Sequence, residues 1–142
     1  MDSVYEVTVP MEDEAEHIGN MLLQFNLESI SLTQEKPFIS INRCIKNGNG
    51  EIIGGILACS ALWQVLSIDT LWVKKEFRNQ GIAKQLLSVV EDKARSMGCH
   101  IAYLSTYDFQ AKDFYFKNGY EIFGILEDCP KGHRLYHLSK KL

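Results

Sequence analysis

The sequence predicts an α/β (α+β) fold, a single domain in which a mixed, mostly antiparallel central sheet of about six to seven strands is flanked by helices. First, the chain has 142 residues, 46% of them hydrophobic and 23% charged, which fits one ordinary globular domain. Second, most apolar runs are short and strand-like, whereas only three stretches follow the helical period. Third, the strands mostly follow one another directly, so hairpins rather than a doubly wound parallel sheet are expected.

The first half of the chain is predicted to hold one helix among four strands. Tyr5–Val9 alternates and predicts a first or edge strand. Acidic residues at 12–14 favour a helix start there, and its apolar face comprises Ile18, Met21, Leu22 and Phe25. Two strands, Phe38–Lys46 and Glu51–Cys59, are predicted on either side of a turn at Asn47–Gly50, because Asn and Gly tolerate positive φ. Val65–Val73 is the next strand.

The second half is predicted to contain two helices and three strands. Ile82, Ala83, Leu86, Leu87, Val90, Ala94 and Met97 form one helical stripe, and Gly98 is a good helix stop. Ile101–Ser105 is predicted as a short strand. A further helix is expected over Phe109–Asn118, with Asp108 as N-cap and Gly119 as stop, followed by strands at Tyr120–Glu127 and Arg134–Leu138.

The global composition excludes several classes of protein. A net charge of −3 gives no reason to expect a nucleic-acid or anionic-membrane partner. The N-terminus has no basic and apolar secretory pattern, and no apolar run approaches the roughly 20 residues of a membrane span. The four cysteines form no CxxC pair, so free thiols in a reducing cytosol are expected, and we predict a cytoplasmic protein.

A metal site is not expected, although Cys129, His133 and His137 are evenly spaced. The strand predicted here would separate the two histidines by about 13 Å, at roughly 3.3 Å per residue. Ligands of one zinc ion lie about 2 Å from the metal and must therefore be neighbours.

The stretch 73–84 carries the strongest chemical pattern. Lys74, Lys75, Arg78 and Lys84 stand against one acidic residue, Glu76, in a loop that leads from a strand into a helix. Free N–H groups and the dipole make a helix N-terminus an anion site, and the small residues Gly81 and Ala83 would let a diphosphate approach the backbone. A solvated basic turn is the alternative interpretation. No Walker loop and no GxGxxG motif is present.

Two motifs resemble those of the GNAT acetyltransferase family. Residues 78–83, RNQGIA, are similar to its R/Q-x-x-G-x-G/A signature, and residues 111–120, AKDFYFKNGY, to its A-x-x-F-Y-x-x-x-G-F/Y segment. The predicted strand order also suits the family along nearly the whole chain, although Met1–Ser60 contributes no sharp motif. The resemblance, to small single-domain bacterial members, implies one acetyltransferase domain over residues 1–142. It implies an N-acetyltransferase that transfers an acetyl group directly from acetyl-CoA to a primary amine, with no metal.

The resemblance also implies where acetyl-CoA binds. The strand that ends at Val73 would separate from the next strand, and the pantetheine arm would insert between them along the backbone of that strand. The implied cofactor-binding residues are Leu71, Trp72, Val73, Arg78, Asn79, Gln80, Gly81, Ile82, Ala83 and Lys84. Many members carry Asn where this chain has Asp108, so a contact between Asp108 and CoA stays open.

Two catalytic residues are candidates. Tyr115 matches the family's proton donor to the departing thiolate, and its alternative role is a packed aromatic ring beside Phe114. Asp69 is the candidate general base, because period two would put it on one face with Leu71 and Val73. A β-bulge there would change that facing, and Asp69 would otherwise be an exposed strand carboxylate.

Other functions remain open at this level. A catalytically silent sensor or scaffold that binds acyl-CoA would carry the same phosphate loop. A nucleic-acid-binding domain would need a longer basic stripe, which the chain lacks. The acceptor, a small-molecule or peptide amine, would be selected by Gln24–Pro37 and Glu127–His133, which carry no recognisable specificity motif. Pairing of the closing strands would give a homodimer.

Overall fold

The computed structural model describes residues 4–142 and divides into two units, residues 1–32 and 33–142. Met1–Ser3, at the start of the predicted domain, lie outside the described residues. In the first unit, helix α1 spans Glu12–Ser29, as predicted, and the Met11 amide donates to the Glu14 carboxylate at 2.9 Å. The strand predicted at Tyr5–Val9 is wrong. Alternation of apolar and polar residues is typical of a half-buried strand but does not by itself produce one, and among the described residues none pairs with this segment in a ladder.

The second unit is built on one seven-stranded sheet, which confirms the predicted fold class. Its strands are β1 (Phe38–Ser40), β2 (Arg43–Lys46), β3 (Ile52–Ala61), β4 (Val65–Val73), β5 (Ile101–Tyr107), β6 (Glu121–Glu127) and β7 (Arg134–Lys141). The order is β1-β3-β4-β5-β7-β6, and β2 also pairs with β3. Only β4 and β5 pair in parallel; the other pairs are antiparallel.

The strand predicted at Phe38–Lys46 is divided into β1 and β2. Ile41 is buried and donates its amide to Ala58, while the Asn42 side chain accepts from the Ala58 amide at 3.1 Å. A side-chain amide thus replaces a backbone partner, and the ladder is interrupted there. The predicted turn after β2 is confirmed: Asn47 accepts from the amides of Asn49 and Glu51, and Gly50 has a φ of 78°.

Two helices accompany the sheet, α2 (Ile82–Ser96) and α3 (Lys112–Lys117). The α2 stripe is confirmed, because Leu86, Leu87, Val90 and Ala94 are buried together with core residues of β4, β5 and β7. Removing such a side chain, as in Leu87→Ala, typically costs about 2–5 kcal/mol. Helix α3 starts later than predicted, and Asp108 is not its N-cap. Instead, Gln110 accepts from the Tyr107 amide at 2.8 Å and closes a separate turn before α3.

Candidate active site

A cleft opens where β4 and β5 stop pairing. Their ladder consists of three pairs, ending at Ser67↔Tyr103, and no further β4–β5 pair is formed in the described part of the chain. Beyond that point the two strands enclose a cleft of about 830 Å³, lined by β4, the start of α2, β5 and the region of α3. The strand separation predicted next to Val73 is therefore present.

The loop between β4 and α2 forms one end of this cleft. It passes through a 3-10 turn at Lys75–Phe77 and reaches α2 through Gly81, whose φ is 79°. A Cβ at Gly81 would meet nothing within 4 Å, so the backbone is open toward the cleft. No side chain of the described residues caps the α2 N-terminus, which leaves its amides for another acceptor. This arrangement fits a diphosphate.

Nine of the ten predicted cofactor-binding residues line the cleft, and the exception is Gln80. The nine are Leu71, Trp72, Val73, Arg78, Asn79, Gly81, Ile82, Ala83 and Lys84. Sequence reasoning missed several other lining residues, namely Phe77, Phe109, Gln110, Phe114, Lys117 and Asn118. Phe114, Lys117 and Asn118 had a usable signal, because all three lie inside the second motif.

The positive charge of the loop is smaller at the cleft than the sequence suggests. Lys74 forms an ion pair with Glu51, and this hydrogen bond raises the pKa of Lys74. Neither Lys74 nor Lys75 lines the cleft, whereas Arg78 and Lys84 do. The Arg78 Nε atom donates to the Val73 carbonyl oxygen at 3.0 Å. The Arg78 side chain is therefore anchored at the end of β4, beside the space left for a ligand.

Tyr115 is both a packed aromatic ring and a residue of the cleft wall, so its position suits both roles considered for it. The residue is only 8% exposed, and its ring packs edge-on against Phe114 and Tyr120, with centroids 5.2 and 5.8 Å away. The residue nevertheless lines the cleft. Burial raises the pKa of Tyr115 to about 12, so its hydroxyl stays protonated far above neutral pH.

Asp69 is displaced by a β-bulge. On β3, Leu57 pairs with Thr70 and the next residue, Ala58, pairs with Ile68, so Asp69 has no partner between them. Its carboxylate accepts from the Ser67 hydroxyl at 3.2 Å. Ile68 and Leu71 both contribute to the core, so the bulge changes which residues share a face. The predicted common face of Asp69 with Leu71 and Val73 is wrong, although Asp69 does line the cleft.

Asp108 connects the end of β5 to the loop between β6 and β7. Its carboxylate binds the His133 ring at 2.9 Å and accepts from the Arg134 amide at 3.0 Å. Partial desolvation tends to raise the pKa of Asp108, but these hydrogen bonds outweigh it and lower the pKa. Asp108 is not among the residues that line the cleft. Asp108 thus stabilises the 128–133 loop. This role could not be predicted from the sequence, because Asp108 and His133 are 25 residues apart.

The two strands separate beside an uncapped helix N-terminus, and a tyrosine lies on the far wall of the gap. These features define a protein that can hold an elongated, phosphate-bearing group donor. Residues 1–120 match the sequence profile of the acetyltransferase (GNAT) family. The chain belongs to this family and is an acetyltransferase.

Similar proteins agree with this assignment. The chain is 36% identical to blasticidin-S acetyltransferase of Streptomyces morookaense, over 66% of this chain and 68% of the relative. An acetyltransferase of Bacillus cereus ATCC 14579 has a similar structure, with a TM-score of 0.90, 33% identity and coverage of 97% and 98% of the two chains. A streptothricin acetyltransferase of Bacillus anthracis str. Ames, solved with acetyl coenzyme A, shares the fold at a TM-score of 0.65, 21% identity and coverage of 76% and 65%.

Residues 4–142 contain neither a bilayer-spanning helix nor a cluster of metal ligands. None of their helices is both long and apolar enough to cross a bilayer. Nor do they bring together three or more His, Cys, Asp or Glu side chains in a metal-binding arrangement.

Proposed function

We propose that the protein is an N-acetyltransferase that moves an acetyl group directly from acetyl-CoA to a primary amine of a small molecule or peptide. One observation carries the proposal. A single cleft connects the open α2 N-terminus, the unpaired part of β4 and Tyr115. The acetyl-CoA bound in the Bacillus anthracis structure supports acetyl-CoA as the donor. The name of the blasticidin-S relative supports a small molecule as the acceptor.

The donor's phosphates would bind at the start of α2. The amides of Ile82, Ala83 and Lys84 belong to the first helical turn, where the dipole favours an anion. Gly81 allows close approach, and Arg78 and Lys84 supply positive charge from the cleft wall. The pantetheine arm would continue along Leu71 to Val73 into the gap between β4 and β5.

Tyr115 would act on the departing sulfur. A thiol has an ordinary pKa of about 8.5, so complete proton transfer to the thiolate from a phenol with a pKa of about 12 is uphill by about 3.5 pKa units. We therefore assign Tyr115 as a hydrogen-bond donor that stabilises negative charge on sulfur while the C–S bond breaks. A backbone N–H near Leu71–Val73 would stabilise the carbonyl oxygen in the same step.

The acceptor amine would approach from the face of the sheet opposite to Tyr115. Tyr115 belongs to the core on the face that carries Leu66 and Ile68, whereas Asp69 bonds Ser67 on the opposite face. A thioester held in the gap would thus have its sulfur near Tyr115 and its carbonyl carbon accessible from the side of Asp69. The carboxylate would attract an ammonium ion there, and Asp69 is the candidate base predicted from the sequence.

The pH dependence of kcat tests the assignment of Tyr115. Because its raised pKa keeps the hydroxyl protonated, donation should be lost only as the pH rises through about 12. We expect no alkaline fall in kcat up to about pH 10 in short assays. A fall centred near the ordinary tyrosine value of about 10 would contradict the buried, protonated state.

Substitution of Asp69 tests the acceptor side. Asp69→Asn keeps the size of the side chain and removes its charge, so the KM for a cationic amine should rise by about tenfold or more, while the KM for acetyl-CoA is unchanged. Glu121→Gln, which removes a carboxylate from β6, is the control and should retain wild-type constants. Equal constants for Asp69→Asn and wild type would remove Asp69 from the acceptor site.

A screen for amine-dependent release of CoA tests the function itself. Polyamines, aminoglycoside-like compounds, amino acids and peptide amines should be compared, since the chain gives no finer choice among them. At least one should release CoA at a rate that depends on enzyme and amine concentration. If acetyl-CoA binds and no amine promotes release, the protein is an acyl-CoA sensor or scaffold instead.

We also propose a cytoplasmic homodimer that binds neither nucleic acid nor membrane. All four cysteines are free thiols, as in reducing compartments. Strand β6 is the last strand of the sheet, and its Phe123 and Ile125 are 63% and 50% exposed, which supports strand pairing between subunits. Sedimentation equilibrium at assay concentrations would separate the dimer from a monomer.

A further inference from the structure

A serine and a histidine form a hydrogen-bonded pair at the mouth of the cleft. Ser105 on β5 and His137 on β7 are ladder partners, and Ser105 Oγ lies 2.9 Å from His137 Nδ1. Ser105 lines the cleft, whereas His137 is not among the lining residues and contacts the cleft only through Ser105. The hydroxyl is therefore placed between the cleft and the imidazole.

This pair faces Asp69 across the gap. Ser105 is two residues beyond Tyr103, and Asp69 is two residues beyond Ser67, where the last β4–β5 pair is formed. Both side chains line the cleft. Ser105 alternates with the buried Leu104 and Thr106, so it lies on the face opposite the core, as does Asp69. The mouth on this face thus has a carboxylate on one wall and a hydroxyl–imidazole pair on the other.

The His137 imidazole packs against β6. On β6, the residue paired with His137 is Gly124, which follows a bulge in the ladder. A Cβ at Gly124 would lie 3.5 Å from His137 Cδ2, and the Phe123 ring packs against the imidazole at 5.9 Å. The strand registers place further titratable residues on this face, including Cys59 of β3, Asp69 of β4, Tyr103 and Tyr107 of β5, Glu121 of β6 and Lys141 of β7.

An acceptor amine needs a nearby group that takes up a proton. Alkyl ammonium ions have pKa values of about 10, so a proton must leave before the nitrogen can attack. Transfer of this proton to an ordinary carboxylate is uphill by about 6 pKa units, whereas transfer to an ordinary imidazole is uphill by only about 4 pKa units. A carboxylate is thus the better anchor for the charge and an imidazole the better acceptor for the proton.

We propose that Ser105 and His137 relay the proton away from the acceptor ammonium while Asp69 holds its charge. This inference rests on the proposed N-acetyltransferase function and deepens it. Ser105 touches the acceptor, and His137 acts through Ser105.

The relay balances in protons and electrons. An ammonium N–H bond breaks as its proton passes to Ser105 Oγ, and the Ser105 proton passes to His137 Nδ1, giving a neutral amine and an imidazolium. The nitrogen lone pair then forms the new N–C bond, and the C–S pair leaves with sulfur. The proton still in excess on nitrogen is then lost to solvent, and the thiolate takes up one proton from solvent, so that amide and free thiol result. His137 returns its own proton to solvent, and one proton is released overall.

Three variants test the relay: Ser105→Ala, His137→Gln and the double variant. With an amine found by the screen, each single variant should lose about 10²-fold in kcat/KM for the amine at pH 7, with an unchanged KM for acetyl-CoA. The double variant should lose no more than either single one, because both break the same path. The loss should shrink as the pH approaches the pKa of the amine, since free amine then reaches the site without the relay.

Controls separate a relay from a structural role. Ser139→Ala removes a hydroxyl from β7 two residues from His137 and should keep wild-type activity. The acetyl-CoA thermal shift verifies that each variant is folded. Wild-type activity in Ser105→Ala, additive losses, or a loss that does not depend on pH would overturn the relay while leaving the acetyltransferase intact. A wild-type protein that acetylates no amine would instead overturn the proposed function.

Discussion

Replacing Tyr115 by phenylalanine is expected to lower kcat by about two to three orders of magnitude, the usual effect of removing one positioned hydrogen-bond donor to developing charge. The ring should still pack against Phe114 and Tyr120, because only the hydroxyl is removed. The KM for acetyl-CoA should stay near the wild-type value, since charge on sulfur develops only in the transition state. Steady-state measurement of both constants, with any amine from the screen, tests this.

Tyr120→Phe is the matched control. The Tyr120 ring packs edge-on against Tyr115, but its hydroxyl donates to the buried Glu91 carboxylate at 2.8 Å, and Tyr120 does not line the cleft. Burial and the charge of Glu91 raise the pKa of Tyr120, so it too is protonated. Its removal should cost about 1–3 kcal/mol of stability through Glu91, with little change in kcat. If the two variants have equal kcat values, the Tyr115 hydroxyl takes no part in the reaction.

Replacing Gly81 by alanine is expected to abolish the thermal stabilisation that acetyl-CoA gives. Saturation at 100 times Kd should stabilise the wild type by about 2.7 kcal/mol. At Gly81 a methyl group would enter open space in front of the backbone, where the diphosphate is proposed to lie. The variant should therefore fold without responding to acetyl-CoA in a thermal-shift experiment.

Gly50→Ala separates backbone strain from ligand blocking. Gly50 has a φ of 78°, against 79° at Gly81, and a Cβ there also meets nothing within 4 Å. Both variants should lose about 1–2 kcal/mol by forcing alanine into the left-handed region. Gly50 belongs to the turn before β3, so its variant should keep the full acetyl-CoA response. An undiminished response in folded Gly81→Ala would locate the phosphate site elsewhere.

Local patterns account for the parts of the fold that the sequence predicted well. The α2 stripe, the Asn47–Gly50 turn and the helix stops at Gly98 and Gly119 depend on neighbouring residues, and both glycines have positive φ as expected. The phosphate loop is likewise one continuous segment. Nine of the ten predicted cofactor-binding residues, which come from the end of β4, this loop and the start of α2, line the cleft.

Features that depend on strand register could not be predicted. The bulge at Asp69 is set by pairing with β3, and the Ser105–His137 contact joins residues 32 positions apart. Asp108 was expected to cap a nearby helix and instead binds a loop 25 residues away. Tyr5–Val9 shows the converse error, because alternation in one segment does not supply a partner strand.

Direct transfer in a ternary complex is the central claim, and initial-rate kinetics test it most directly. Varying acetyl-CoA at several fixed amine concentrations should give intersecting double-reciprocal lines. Without amine, the intact mass of the protein should not change after incubation with acetyl-CoA. Burial raises the pKa of the Cys59 thiol, which disfavours it as an acetyl acceptor. Parallel lines together with an acetylated protein would contradict direct transfer and indicate a covalent intermediate.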